Sequence, residues 1–419
     1  MLAIHLNTMS KIKIKNFGPI KEGYQENDGW LDIKKVTVFI GNQGSGKSTV
    51  AKLISTFTWI EKALTRGDFE QEYFERKDVF LKYCNYHKID GYFDFLNNRD
   101  TIIEYTGDSY AIRYYQRRLK IDKIVNEKYN LPQIMYIPAD RNFTSTIDDL
   151  KTQRLFSEPL FEFLSELQKA KREIKEDLEL PINNIRLEYD KSQDLIYVKG
   201  DGYRIKLSEA SSGIQSFVPL YLVSKYLSKS VDYRDEFSKD EPMNLFESEK
   251  FQKAYSDIYH NNELTLEQKR IALSVIASKF NKTAFINIVE EPEQNLFPTS
   301  QRQMLNSLIN FNNMSEGNKL IMTTHSPYII NYITLAIETN KLKDKIKDDS
   351  LKNKLNNIVP LNSTINPNDV VIYELEDTGQ INILGNYNGL PSDENKLNEN
   401  LGYTNDLFSQ LLDIEELCQ

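Results

Sequence analysis

The sequence predicts an α/β fold whose sheet takes its ligand at the carboxyl edge, and three observations carry that expectation. Apolar strands and amphipathic helices alternate along much of the chain. The strand "VTVFI" (36–40) runs directly into the glycine-rich "GNQGSGKS" (41–48) and then into a helical pattern. Two more apolar strands end on polar groups, "INIVEE" on Glu290 and Glu291 and "KLIMTT" just before His325. In open sheets of this class the ligand lies in the crevice beyond the strand ends.

Taken in order, "KIKIKNFGPI" (11–20) alternates Lys with Ile and turns at Gly18-Pro19, the pattern of a strand with one wet face. "VTVFI" is β-branched and apolar, so it reads as a buried strand ending at Gly41. In 48–64, Val50, Leu53, Ile54, Phe57 and Ile60 or Glu61 recur at helical spacing and give one apolar stripe. From 66 to 130 the chain is charged and Tyr-rich, with short strands about Gly107-Asp108, which predicts an antiparallel flank. "QIMYIPADR" (133–141) is a strand closed by Pro138, 157–178 an amphipathic helix, and 185–207 a hairpin. "SSGIQSFVPLYLVSKYL" opens another helix, and the polar stretch 229–280 reads as an inserted helical lobe. "DVVIYELEDTGQINIL" (369–384) is a hairpin about Asp377-Thr378-Gly379. The expected organisation is an N-terminal lobe (1–141), a helical lobe with SSGIQ (142–228), the insertion (229–280), a C-terminal lobe (281–395) and a tail (396–419).

The bulk numbers fit a folded chain. With 419 residues, 40% hydrophobic and 11% aromatic, it can bury one large core or two moderate ones. A net charge of −9 gives no global field to attract nucleic acid. The 24 Tyr and 21 Phe read as packing rather than base-stacking residues. The lysine run 340–357 is interspersed with acids and reads as a solvated helix face. Cys84 and Cys418 stand alone and indicate neither a disulfide framework nor a structural metal, and no run of about 18 apolar residues would span a membrane. A cytoplasmic protein without a membrane partner is expected, with Met9 an alternative start to Met1.

"GNQGSGKS" satisfies G-x-x-x-x-G-K-[ST] in the required strand–loop–helix context. Its glycines let successive amides of Asn42, Gln43, Gly44, Ser45, Gly46, Lys47, Ser48 and Thr49 curl around phosphates, and the helix end adds positive potential. Lys47 would reach the β and γ phosphates, and Ser48 would ligate Mg²⁺. ATP with Mg²⁺ is therefore the expected ligand. A phosphoryl-transfer site needs one carboxylate for the metal and one for the attacking water, which assigns Glu290 to the metal and Glu291 to the water. Ser212, Gly213 and Gln215 open a helix that offers a second phosphate cradle, and His325 stands where an imidazole could meet the γ-phosphate.

The order of P-loop, SSGIQ, EE and His resembles the ABC-type ATPase heads. SSGIQ looks like their LSGGQ signature, with Ser211 and Ile214 in place of Leu and the second Gly. INIVEE looks like their Walker B strand, which more often ends in Asp-Glu, PEQNL like their D-loop and TTHSP like their switch-histidine loop. Within that superfamily "IKNFGPI", "YIPADR", "EEPE" and "TTHSP" resemble the RecF, SMC and OLD (overcoming lysogenization defect) branch. The resemblance covers about a third of the chain and identifies no Q-loop glutamine; Arg141 is the expected contact with the nucleotide or an opposing head, with an ordinary strand-end salt bridge as the alternative.

What the resemblance implies is a P-loop NTPase of ABC-ATPase type that hydrolyses ATP. It would act as a homodimer or higher homo-oligomer, with each ATP between the P-loop of one head and Ser212 and Gly213 of the other. The chain has no long coiled-coil arm, and the stretch after residue 385 is too short for the Toprim nuclease of OLD relatives. A separate effector, a nuclease or toxin, is thus the expected partner, in bacterial anti-phage defence. A RecF-like DNA-binding repair ATPase is the alternative and admits nucleic acid as a partner; the motor of a membrane transporter fits less well.

Overall fold

The computed structural model describes residues 9–93, 100–124, 129–145, 157–231, 252–253, 255–260, 265, 268–269 and 282–417. Most of the expected 229–280 insertion therefore lies outside the described residues. The chain opens with β1 (Lys11–Lys15), β2 (Gly23–Tyr24), β3 (Trp30–Asp32), β4 (Val36–Gly41) and α1 (Lys47–Arg66). Next come α2 (Gln71–Phe74), α3 (Val79–Tyr86), β5 (Ile102–Thr106), β6 (Tyr110–Tyr115), β7 (Arg118–Lys123) and β8 (Pro132–Ile137). After them stand α4 (Glu158–Arg172), β9 (Leu178–Glu179), β10 (Arg186–Asp190), β11 (Leu195–Gly200), β12 (Tyr203–Lys206) and α5 (Ser212–Ser230). The C-terminal part holds β13 (Ala284–Glu290), α6 (Pro298–Asn312), β14 (Lys319–Thr324), α7 (Pro327–Lys343), α8 (Asp349–Ile358), β15 (Val370–Leu375), β16 (Gln380–Ile383) and α9 (Lys396–Leu417).

Seven strands form the central sheet in the order β2-β16-β15-β4-β14-β13-β8, and the run from β15 to β8 is parallel. Both expected ATPase lobes contribute strands to this one sheet. β4 is buried on both faces, as its continuous apolar pattern requires. Val36, Val38 and Ile40 join the core beneath α4, α5, α6 and α7, while Phe39 faces the core beneath α1.

The second core is shared with the predicted antiparallel flank, whose strand order is β3-β1-β5-β6-β7. On β1 Ile12 and Ile14 point inward, and Lys11, Lys13 and Lys15 are half-buried. Val50, Leu53, Ile54, Phe57 and Ile60 of α1 are all buried, the stripe read from their spacing. Each large apolar side chain so buried contributes roughly 1.5–3 kcal/mol, enough for five of them to fix the helix's rotation on the sheet. The helix stops at Gly67, whose φ of 72° lets its amide cap the carbonyls of Ala63 and Leu64.

Two elements differ from expectation. The helix expected to reach 178 ends at Arg172, because the chain enters β9 at Leu178 to complete the small β12-β11-β10-β9 sheet. The segment 71–86, part of the stretch expected as an antiparallel flank, instead contains α2 and α3, whose Phe74 and Phe80 are fully buried.

Candidate nucleotide site

Parallel register places the motifs together. Ile40 is level with Thr324 across β4 and β14, Thr323 with Glu290 across β14 and β13, and Val289 with Ile137 across β13 and β8. The P-loop, His325, the glutamate pair and the Ala139–Arg141 turn therefore leave the same edge. β14 lies between β4 and β13, which puts His325 between Lys47 and Glu291. Its Nδ1 is 3.4 Å from Lys47 Nζ and its Nε2 is 3.4 Å from Glu291 Oε1.

The P-loop geometry depends on glycine at two places in particular. Gly41 has φ 138° and lies so close to β15 that an added Cβ would sit 2.3 Å from the Leu375 carbonyl oxygen. Gly46, at φ 105°, is the left-handed residue from which α1 starts without a side-chain cap. Asn42, Gln43 and Gly44 are exposed, Ser45 and Thr49 are buried, and Ser48 is half-buried on the first turn. Lys47 is buried, and its Nζ donates to the carbonyls of Gly41 at 2.8 Å and Asn42 at 2.6 Å. Burial pushes its pKa down to about 8, against the opposing influence of Glu291, Glu293 and Asp377.

The two adjacent glutamates have different surroundings. Glu290 is buried, and its carboxylate accepts from the Tyr136 hydroxyl at 2.6 Å and the Ala139 amide at 3.1 Å. Glu291 has left-handed backbone, φ 45°, which a non-glycine residue adopts at a cost and which marks functional turns. Contact with His325 holds its carboxyl below the ordinary range, with burial acting the other way.

Arg141 requires a correction. Expected at the nucleotide or at an opposing head, it is 0% exposed. Its guanidinium donates to the carbonyls of Glu290 at 2.7 Å and Glu291 at 2.6 Å. The fork thus fixes the backbone beneath the acidic pair from inside. Burial lowers its pKa to about 10, which leaves it charged at neutral pH.

Gln215 also differs from expectation. Its amide turns back to the carbonyls of Ser208 and Ala210, both at 2.9 Å, and braces the loop before α5. Ser212 is exposed at the start of α5. Gly213 packs on the stretch that follows the acidic pair: an added Cβ would lie 2.8 Å from the Asn295 carbonyl oxygen. Asn287, the polar residue within "INIV", bonds Ser224 of α5 at 3.0 Å and ties the SSGIQ helix to β13.

Sequence reasoning missed three contributors. Glu293 accepts from the His325 amide at 2.7 Å, and its buried carboxyl is pushed up by desolvation. Asp377, in the hairpin turn, accepts from the Asn42 side chain at 2.9 Å. The first turn of α9 brings Leu397 and Asn400 to a 570 Å³ cleft beside Asn42, Gln43 and His325. A third glutamate in "EEPE" was a visible signal; the other two depend on long-range placement.

The donor set suits Mg²⁺. Two of the roughly four lone-pair directions of Glu290 are occupied, leaving acceptor capacity, and Ser48 adds a hydroxyl. Among the described residues no group of three or more His, Cys, Asp or Glu could hold a metal. A cation that arrives with phosphates and keeps its waters needs only one or two protein ligands.

Residues 61–330 match the family model described as AAA ATPase domain. The chain belongs to that family. No curated protein matches the sequence. Among solved structures, this ATPase is similar to an SMC head domain from Thermotoga maritima, at 11% identity and a TM-score of 0.32 over 77% of this chain and 91% of that one. It is also similar to a Pyrococcus furiosus Smc head domain with an extended coiled coil bound to the C-terminal domain of ScpA, at 11% identity and a TM-score of 0.35, covering 98% and 100%. An ATP-binding cassette dimer in a post-hydrolysis state bound to ADP and Pi gives 12% identity and a TM-score of 0.30, covering 90% and 100%. Among the described residues no helix is long and apolar enough to cross a membrane.

Proposed function

We propose that this AAA ATPase hydrolyses Mg-ATP between two copies of itself, in the manner of ABC-type heads, and that closing and opening of the pair switches a separate effector. The convergence of Lys47, His325 and Glu291, residues 47, 325 and 291 in the chain and two 3.4 Å contacts in space, carries this reading. Lys47 would leave the Gly41 and Asn42 carbonyls for the phosphates. Glu291, kept ionised, would orient the attacking water, and His325 would report the γ-phosphate to both. Ser48 and Glu290 would hold Mg²⁺, which neutralises phosphate charge when bound.

The exposed Ser212, on a helix whose first-turn amides have no intrahelical partners, is suited to a phosphate that comes from outside this subunit. The effector and the anti-phage setting rest on the motif resemblance to the RecF, SMC and OLD branch.

The test combines two substitutions. Glu291→Gln should bind ATP, lose at least about a hundredfold in turnover (~2.7 kcal/mol of barrier) and accumulate dimers in sedimentation velocity. Ser212→Arg added to it should abolish those dimers while ATP affinity stays within about threefold. ATP-dependent dimers that survive Ser212→Arg would refute the shared site.

A further inference from the structure

A partly open hollow of 330 Å³ lies between α1, α3, β8 and α4. Ser55 and Trp59 on its wall are 8 and 12 residues along α1 from Lys47, roughly 12–18 Å at the helical rise, so the hollow is separate from the nucleotide cleft. Its lining is aromatic: Trp59, Tyr73, Tyr83, Tyr86, His87 and Tyr136. Trp59 and Tyr83 lie 5.0 Å apart between ring centroids, Tyr86 and His87 4.7 Å, and His87 and Tyr136 4.6 Å.

The charges at the wall are Glu158 and Glu162 from the first turns of α4 against one ammonium, Lys82. Tyr86 donates its hydroxyl to Glu162. Lys62 and Lys169 also act on Glu162, and Lys169 is paired with Glu166 at 2.7 Å. His87 adds no positive charge near neutrality, because burial, helped by Lys52, lowers its pKa to about 3.

We propose that this hollow binds a small organic cation, an amine or guanidinium on an apolar or aromatic body, and that occupancy is transmitted to Glu290 through Tyr136. Aromatic faces and carboxylates both attract a cation, and the volume is at the small end of the roughly 300–1,000 Å³ typical of small-molecule sites. Tyr136 belongs to both places: its ring lines the hollow, and its hydroxyl donates to Glu290 Oε1 at 2.6 Å. A ligand that moves the ring moves the donor on the carboxylate. Binding stands independently of the nucleotide-site assignment, whereas the coupling rests on it.

Trp30→Phe leaves Trp59 as the remaining tryptophan of the two in the chain, a reporter on the wall itself. At matched ionic strength, benzyltrimethylammonium should change its fluorescence saturably and bind about tenfold more tightly than benzyl alcohol. Glu158→Gln with Glu162→Gln should weaken the cation about fivefold or more, with an unchanged melting temperature as the control for folding. The cation should alter ATP turnover of the parent about twofold or more, and Tyr136→Phe should still bind it but lose that response. Lack of saturation up to ~10 mM, or equal binding of benzyl alcohol, overturns the cation site. Binding without any effect on turnover overturns the coupling but leaves the ATPase assignment intact. A parent inactive on ATP strikes that assignment and the coupling together, while fluorescence still decides the binding.

Discussion

Glu61 on the flank and the glutamates at the sheet edge are carboxylates drawn out of water in opposite ways. Glu61 is 3% exposed and accepts from the Tyr105 hydroxyl at 2.9 Å and the amides of Ser109 at 2.7 Å and Tyr110 at 3.2 Å. Gly107 is pressed against it so closely that an added Cβ would be 2.0 Å from Oε2. At the edge, Glu291 has a strained backbone and a histidine at 3.4 Å, while one oxygen of the Glu293 carboxyl is buried without a hydrogen bond. Arg141, a buried cation nearby, donates to the backbone carbonyls of Pro138, Glu290 and Glu291. A saturated carboxylate holds elements together, whereas one supported from behind but open in front can take new partners.

Three substitutions test this contrast. The largest effect is expected from Arg141→Met, which leaves two buried carbonyls without their charged donor and should cost roughly 3–5 kcal/mol in urea unfolding. A loss below about 1 kcal/mol would remove Arg141 as the support of the acidic pair.

Glu61→Gln comes next. Desolvation raises the Glu61 pKa from 4.5 to about 7, so its stabilising contribution is complete below pH 4.5 and is lost as pH rises to about 7. The variant, which mimics the protonated acid, should gain about 3 kcal/mol on the parent between those limits. Parallel stability–pH curves for the two proteins would show that burial does not disfavour the Glu61 carboxylate.

The smallest effect is expected at Glu293. Glu293→Ala removes the acceptor of the His325 amide and should slow ATP turnover about tenfold (~1.4 kcal/mol) with little change in affinity. Glu293→Gln, which keeps a carbonyl oxygen there, should recover most of it. Equal loss in both variants would mean that charge rather than the amide bond matters.

The sheet and the edge that carries the motifs were legible because β4, β13 and β14 are buried on both faces and write themselves as apolar runs. P-loop, acidic pair and histidine follow those runs directly, so finding the strands placed these motifs on one edge. Arg141 was misread because a strand-end arginine looks alike whether it faces water or the interior; only the carbonyls of 290 and 291, distant in sequence, show which. Asp377 and Asn400 were invisible for a similar reason, since a hairpin turn and a tail acquire meaning only when β15 pairs with β4 and α9 begins beside the P-loop. The aromatics of 73–86 pack on one another and on Trp59, but periodicity does not tell a filled interior from a lined hollow.

The contact of Gly213 with Asn295 has a mechanical corollary. Residues 291–295 are gripped from one side by the histidine loop, through Glu293, and pressed from the other by the first turn of α5. If that turn attends to the neighbour's triphosphate, each polypeptide is a lever joining two fuel chambers, and the state of one is felt in the other as a displacement of its acidic turn. The pair would then fire in concert or in alternation rather than as two independent engines.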